Sequence, residues 1–476
     1  MTWETVIGLE THVELATQSK IFCSCPTAFG APPNTQCCPV CTGVPDARPV
    51  LNKETVDLAL RAGLAFHGQI ASQCIFDRKH YSYPDLPKGY QITQFRAPIM
   101  ENGTLSIQTP DGTEKVIRIR ELHLEEDAGK LIRHPQTGDI ICDHNRCGIP
   151  LIEIVTCADF SSADEVIAYL EKLRLTLQYL DVSDCKIQEG SLRCDVNLSV
   201  RPAGSKQFGV RTEMKNLGSF RAIRLAIAYE SKRQIAVLEQ GGEILQETRR
   251  WDEELECSVP MRLKETAADY RYIPEPDLPP LPISGEMLAH AKQSIPELVE
   301  DKIARYQKDW ALPLYDCQML TSQKALAAFF EETVALGAPP KQAANWIMGE
   351  VLHQLSALHM DAASMPLSPA TLARIIHLVS DGTLNRNTAV KVFEAVFSDD
   401  LDVDAYIQEH GLLQVSDTAL LDEVVSRVLA ANPKSVADYR SGKEKAFGFL
   451  VGQVMRELRS QAAPRLVHEI LKSKLS

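Results

Sequence analysis

No stretch of the 476 residues approaches the roughly 18 consecutive apolar residues that a membrane helix requires, so no helical span is expected. The first fifteen residues carry Glu4, Glu10 and Glu14 and no basic cluster. A secretory leader starts basic and turns apolar, and an organellar one avoids acids, so neither is expected and the chain should act in the cytoplasm. Two nucleotide-binding signatures are missing: there is no G-x-x-x-x-G-K-[ST] and no G-x-G-x-x-G, which excludes a P-loop and a dinucleotide fingerprint. Positive charge is also short. Fifty Lys and Arg against 63 Asp and Glu leave a net charge of −13, so a nucleic acid would be gripped by a local patch or through a partner. Internal repeats and low-complexity tracts are absent. What remains is an ordinary globular balance, 45% hydrophobic and 24% charged, which excludes a disordered chain. At roughly 150 residues per domain, the length suggests about three domains.

Cysteine is abundant: 13 in all, five of them (Cys23, Cys25, Cys37, Cys38, Cys41) within one short stretch. A disulfide framework belongs to small secreted domains, which this is not. Cys23-x-Cys25 followed by Cys38-Pro-Val-Cys41 has the spacing of a structural Zn²⁺ site, with two thiolate pairs facing each other across a loop. Cys37 is the spare, because Cys38 completes the C-x-x-C.

Residues 1–295 are rich in Gly, Pro and β-branched residues and read as an α+β domain with a largely antiparallel sheet. Within it Ser162 and Glu165 form a capping box ahead of Val166, Leu170, Leu173, Leu177 and Leu180 at helical spacing. A second helix is expected from about Ser219 to Gln240, ending at Gly241-Gly242. Leu192, Cys194, Val196, Leu198 and Val200 alternate with Arg193, Asp195, Asn197 and Ser199, as in a half-buried strand. Five prolines between Pro274 and Pro282 predict a stiff extended connector. Beyond it, residues 296–405 read as an all-α domain and 406–476 as a small α-helical tail. From Lys434 onward nine Lys and Arg face four Asp and Glu, a balance of +5 after an acidic stretch at Asp399–Asp404.

Parity singles out a second site. In Val6–Leu15 the apolar residues fall on odd positions and Glu10 and His12 on even ones, so both project from one face of a strand. In Glu121–Asp127, His123 and Glu125 share a face. Glu153 is the single polar residue of the run Pro150–Val155, where a lone carboxylate is costly unless it is paired or binds a cation. Glu10, His12, Glu125 and Glu153 are therefore candidates to converge as an oxygen-rich site suited to Mg²⁺ rather than Zn²⁺. Lys79, Lys88, Arg193 and Lys215 are candidate phosphate contacts. The Tyr81–Tyr90 loop, with three tyrosines and Lys88, has the makings of a ligand cover.

These motifs resemble the B-subunit family of bacterial aspartyl/glutamyl-tRNA amidotransferases. The matching stretches are Val6–Leu15, Cys38–Cys41, Phe76–Lys79, Tyr83–Ile92, Leu124–Lys130, Pro150–Val155, Glu189–Asp195, Gln246–Arg249, Asp269–Tyr272 and Gly448–Gln453, nearly end to end. The resemblance implies a carbon–nitrogen ligase built as a heterotrimer with an amidase-type A subunit and a small C subunit. It implies that this chain uses ATP to phosphorylate the side-chain carboxylate of misacylated Glu-tRNA(Gln), Asp-tRNA(Asn) or both. Ammonia made from glutamine in the A subunit would then displace phosphate. It carries Glu10, His12, Glu125 and Glu153 over as Mg²⁺ ligands, the cysteine set as a zinc site, and the tail as a tRNA contact. Departures from the family pattern, among them Thr11 for Ile or Val and Ile273 for Phe, remove no proposed ligand. The competing reading is a zinc-ribbon, tRNA-binding scaffold subunit without kinase activity.

Overall fold

A computed structural model describes residues 2–134, 136–263, 269–412, 418–458 and 464–475. The chain divides into two compact units, Met1–Leu298 and Val299–Ser476. The architecture is α+β, with the sheets in the first unit.

The first unit is built on a nine-stranded sheet. From one edge to the other its strands are Cys257–Leu263, Glu247–Asp252, Thr212–Lys215, Leu192–Pro202, Trp3–Glu14, Pro150–Thr156, Glu114–Glu126, Met100–Gln108 and Gln69–Ile70. All neighbours are antiparallel except Thr212–Lys215 with Glu247–Asp252. That parallel pair is joined through the Phe220–Glu239 helix, as a parallel connection requires. The period-two pattern sorts the two faces. Ile7, Leu9, Val13, Ile152, Ile154, Leu122, Leu124, Val196 and Leu198 are buried in a core shared with Val166, Leu170, Leu173 and Leu177 of the Ala163–Tyr179 helix. Thr11 lies fully buried on this side, opposite Glu10 and His12. The other face carries the acids and histidines.

Both expected helices form with their caps. Ser162 Oγ accepts the Glu165 amide, while the Glu165 carboxylate accepts the amide of Ser161 rather than of Ser162 and also binds Lys115. Ser219 caps the Phe220–Glu239 helix, which gives way to Gly241 at φ +78°. The proline-rich stretch is extended, but it is more than a connector. Ile273–Pro274 and Leu281–Pro282 pair with the two ends of strand Gln73–His80, whose other edge pairs with Tyr90–Ala97. Proline lacks an N–H, and an edge position tolerates that.

The second unit holds two apolar clusters. One centres on Tyr306, Phe330, Trp346 and Phe393 and takes in Val403 and Ile407, which lie on either side of residue 405. The other is formed by Leu421, Val424 and Val425 with Leu450, Val454, Val467 and Leu471. The Thr418–Ala431 helix thus shares a core with the basic helices that follow Pro433. No described helix is long and apolar enough to cross a membrane.

One buried network ties the Phe220–Glu239 helix to four strands. Glu230 accepts from Arg233 at 2.7 and 2.8 Å, from Thr212 Oγ1 at 2.9 Å, from Gln234 at 3.0 Å and from Ser258 Oγ at 2.9 Å. Arg249 approaches to 3.6 Å, and Gln234 also donates to Leu198 O. Burial works to raise the Glu230 carboxyl, but the hydrogen bonds of Arg233 and Gln234 hold it below its ordinary 4.5. A depressed folded-state value means that its stabilisation is complete above pH 4.5 and lost as pH falls below it. Glu230→Gln should cost roughly 2–3 kcal/mol at pH 7, since Arg233 and Arg249 would be left to share Glu247. Urea unfolding should show a shallower loss of stability below pH 4.5 in the variant than in the parent.

Candidate active site and cysteine cluster

The polar face of the sheet is the floor of an open cleft of about 520 Å³. Sheet order makes the site. Pairing places His12 opposite Glu153 and Glu153 opposite His123, so three neighbouring strands present three side chains in one row. His12 Nε2 lies 3.5 Å from Glu125 Oε1 and 3.9 Å from Glu153 Oε2. His123 Nε2 hydrogen-bonds Glu153 Oε2 at 2.7 Å and stands 3.8 Å from Glu125 Oε2. Ligand atoms of His12, Glu125 and Glu153 all lie within 4.8 Å of one another. Glu125 is almost fully buried and also accepts from Thr93 Oγ1 at 3.2 Å.

The electrostatics are those of crowded like charges. Burial, then the Glu153 charge, pushes the Glu125 carboxyl up. Glu153 is held down against its burial by His123 and His12. Burial opposes charge on His123 too, yet Glu153 and Glu125 hold its imidazole up at about 9. His123 stands where parity put it, on the face of Glu125, and its role as bridge between the carboxylates was not anticipated.

Glu10 does not join this group. It pairs across the strands with Asp195, and the two form a second acidic group with Glu213, again with ligand atoms within 4.8 Å. Asn197 donates to Glu10 at 3.0 Å, Thr248 to Glu213 at 2.8 Å, and Lys215 binds Asp195. Asp195 was visible on the polar face of its strand. Glu213 sits on a four-residue strand too short to show a period.

The cysteines also meet. The Sγ atoms of Cys23, Cys25, Cys38 and Cys41 lie within 4.8 Å of one another, with Cys38 and Cys41 3.9 Å apart. Cys37 turns instead toward Asn145 Oδ1, at 3.8 Å. Lys20 is completely buried against the cluster, its ammonium 3.6 Å from Cys41 Sγ and 2.8 Å from Gln36 O. The hydrogen bond from Cys23 opposes burial and, with Lys20, pulls the Cys41 thiol down to about 4. A buried ammonium beside a thiolate is a matched pair of charges.

The catalytic domain of the GatB/GatE family matches residues 5–289, and the GatB domain matches residues 328–475. The chain belongs to the GatB family. It is 53% identical to the aspartyl/glutamyl-tRNA(Asn/Gln) amidotransferase B-subunit of Lachnoclostridium phytofermentans, over 100% of this chain and 99% of that protein. The corresponding B-subunits of Caldicellulosiruptor bescii and Moorella thermoacetica are 52% and 49% identical, each over 100% of this chain and 99% and 100% of theirs. As a GatB-family member the chain is a subunit of a glutamine-hydrolysing amidotransferase, a carbon–nitrogen ligase.

In this GatB-family chain the four candidate cations part company. Lys79 and Lys215 line the cleft, and Arg211, which sequence reasoning passed over, lines it too. Lys79 Nζ lies 4.9 Å from the Tyr270 ring centroid and 5.7 Å from that of Tyr81. Lys88 is instead buried in an ion pair with Glu126, beside a separate cavity of about 280 Å³ next to the cysteines. Arg193 is bound to buried Asp127 at 2.6 Å, with Arg146 at 3.4 Å. These cations hold the Asp127 carboxyl low against its burial. Nothing in a single sequence shows that a basic residue is already spoken for. Arg193→Ala should destabilise the first unit by roughly 2–3 kcal/mol, the penalty of a buried carboxylate left with the more distant Arg146, discounted because Arg193 is partly exposed. Urea unfolding measures the loss, and Asp127→Asn in the same background should recover most of it.

Proposed function

We propose that this chain is the kinase half of a tRNA-dependent amidotransferase. ATP phosphorylates the side-chain carboxylate of glutamate misacylated on tRNA(Gln), of aspartate on tRNA(Asn), or of both. Ammonia from a partner subunit then displaces the phosphate. The observation that carries this reading is the meeting of His12, Glu125 and Glu153 at one point in the cleft of a GatB-family chain. A carboxylate resists attack by ammonia because oxide is a poor leaving group. Phosphorylation supplies a good one, and phosphoryl transfer asks mainly for positioning and charge neutralisation.

The donor set fits a hard divalent cation. Octahedral Mg²⁺ at roughly 2.0–2.1 Å from each ligand places neighbouring ligands about 3 Å apart and opposite ones about 4.2 Å apart. The distances from His12 Nε2 to Glu125 and Glu153, 3.5 and 3.9 Å, fall between those two values. Glu10, Asp195 and Glu213 offer an all-carboxylate set for a second ion. Bound cations would neutralise phosphate charge. Lys79, Lys215 and Arg211 supply fixed positive charge along the same cleft. His123 holds Glu153 oriented and ionised.

The four cysteines suit one structural Zn²⁺: a tetrahedral ion with Zn–S near 2.3 Å needs sulfurs about 3.8 Å apart, and the buried Lys20 offsets part of the thiolate charge. In this reading the working assembly contains an amidase-type A subunit, a small C subunit and misacylated tRNA, and it works in the cytoplasm. A scaffold that binds tRNA without kinase activity would have no use for the converged carboxylates and His12, and that favours the kinase.

In the reconstituted trimer, Glu125→Ala should lower tRNA-dependent ATP cleavage by roughly two to three orders of magnitude while tRNA affinity stays within about twofold. Loss of tRNA binding with unchanged turnover per bound complex would overturn the role. Elemental analysis of protein purified without chelator should find about one zinc per chain. Cys38→Ser should lose it and Cys37→Ser should keep it.

A further inference from the structure

One acid in the cleft is unlike the rest. Glu10, Glu153, Asp195 and Glu213 all have hydrogen-bond or ion-pair partners. Asp85 lines the same cleft half-buried, and its carboxylate is bonded to no other described residue. Its backbone is nevertheless anchored. The Gly129 amide donates to Asp85 O at 2.7 Å, and the Leu86 amide closes a turn onto Tyr83 O at 3.0 Å. A Cβ on Gly129 would lie 2.9 Å from Asp143 O and 3.1 Å from that Asp85 oxygen, so a larger residue there would crowd both carbonyls. Beside Asp85 stand Tyr81 and Tyr83, their ring centroids 6.5 Å apart and edge to face. Tyr81, with Tyr270, already faces one ammonium, that of Lys79. A carboxylate without a counter-ion beside tyrosine rings suits a small organic cation.

We propose that Asp85, with Tyr81 and Tyr83, binds the α-ammonium of the aminoacyl ester and keeps it protonated while the side-chain carboxylate is activated. This rests on the kinase reading above, which brings an amino acid esterified through its α-carboxyl into the cleft. That substrate carries two opposite charges, and the cleft has a place for each: the cation-binding floor for the carboxylate being phosphorylated, and Asp85 for the amine.

The amine needs control as well as recognition. In a γ-glutamyl phosphate the free α-nitrogen lies within reach of the activated carbonyl carbon. If it attacks, a C–N bond forms, the C–O bond to phosphate breaks, phosphate leaves and the nitrogen loses one proton. The product is a five-membered lactam, pyroglutamyl-tRNA, which ammonia can no longer amidate at the side chain. An α-amino group titrates at roughly 8, so a sizeable fraction would be free base near neutrality. A carboxylate within hydrogen-bond reach favours the protonated form, which has no lone pair with which to attack.

The test compares Glu-tRNA(Gln) with N-acetyl-Glu-tRNA(Gln), which lacks the ammonium, in the reconstituted trimer with ATP and glutamine. The parent should show a KM roughly tenfold or more higher for the acetylated substrate. In Asp85→Asn the two KM values should converge. With Glu-tRNA(Gln), mass spectrometry of the released amino acid should find pyroglutamate rising at the expense of glutamine. Asp85→Glu should recover part of the discrimination, separating lost charge from a misfolded loop. Amide formation by the parent together with unchanged discrimination in Asp85→Asn overturns the ammonium site alone. A parent trimer that cleaves no ATP with either tRNA overturns the kinase reading beneath it.

Discussion

Glu153 is a carboxylate in an interior strand of a nine-stranded sheet, next to the middle one, with Ile152 and Ile154 buried on the opposite face. Such a group is costly to bury alone. Its neighbours in register are His12 on one side and His123 on the other, and Glu125 lies one pleat further along. The histidines hold Glu153 ionised, while burial and then the nearby Glu153 charge push Glu125 toward its neutral form. The sheet thus keeps two carboxylates close together at a standing electrostatic cost, which a bound cation would relieve. The apolar face of the same strands, packed beneath the Ala163–Tyr179 helix, offsets that cost.

Much of this was legible because strand parity is a two-fold choice. Once Val6–Leu15 alternates, Glu10 and His12 cannot lie on the apolar side, and the same logic placed Glu125 and the isolated Glu153. Parity names the face and nothing more. It does not give the order of strands, and that order decides which acids meet. Trp3–Glu14 lies between Pro150–Thr156 and Leu192–Pro202, so His12 falls to the Glu153 group and Glu10 to Asp195. Three of the four expected ligands converge, and the fourth begins another group. The proline-rich stretch hid its edge pairing for a related reason: composition reports that a segment is extended, and a strand partner is a fact of tertiary structure.

Charge was the least readable property. Lys88 and Arg193 looked like phosphate contacts and are instead internal counter-ions of Glu126 and Asp127. Lys79 and Lys215 looked the same and do line the cleft, Lys215 while paired with Asp195 there. With a net charge of −13, the chain keeps its useful positive charge local. Some lies along the cleft and some after Pro433, where the basic helices share a core with Thr418–Ala431. The cysteine cluster is the opposite case, a local motif whose spacing alone selected Cys38 over Cys37.

In the proposed mechanism three neighbouring strands converge on one divalent cation. The most direct measurement is the anomalous scattering of crystals of the trimer soaked with Mn²⁺ and a non-hydrolysable ATP analogue. A peak within bonding distance of His12 Nε2, Glu125 and Glu153, with His123 bound to Glu153 from behind, is the expected result. A cleft that holds the nucleotide while those side chains remain bonded only to one another, with the metal elsewhere, would contradict it.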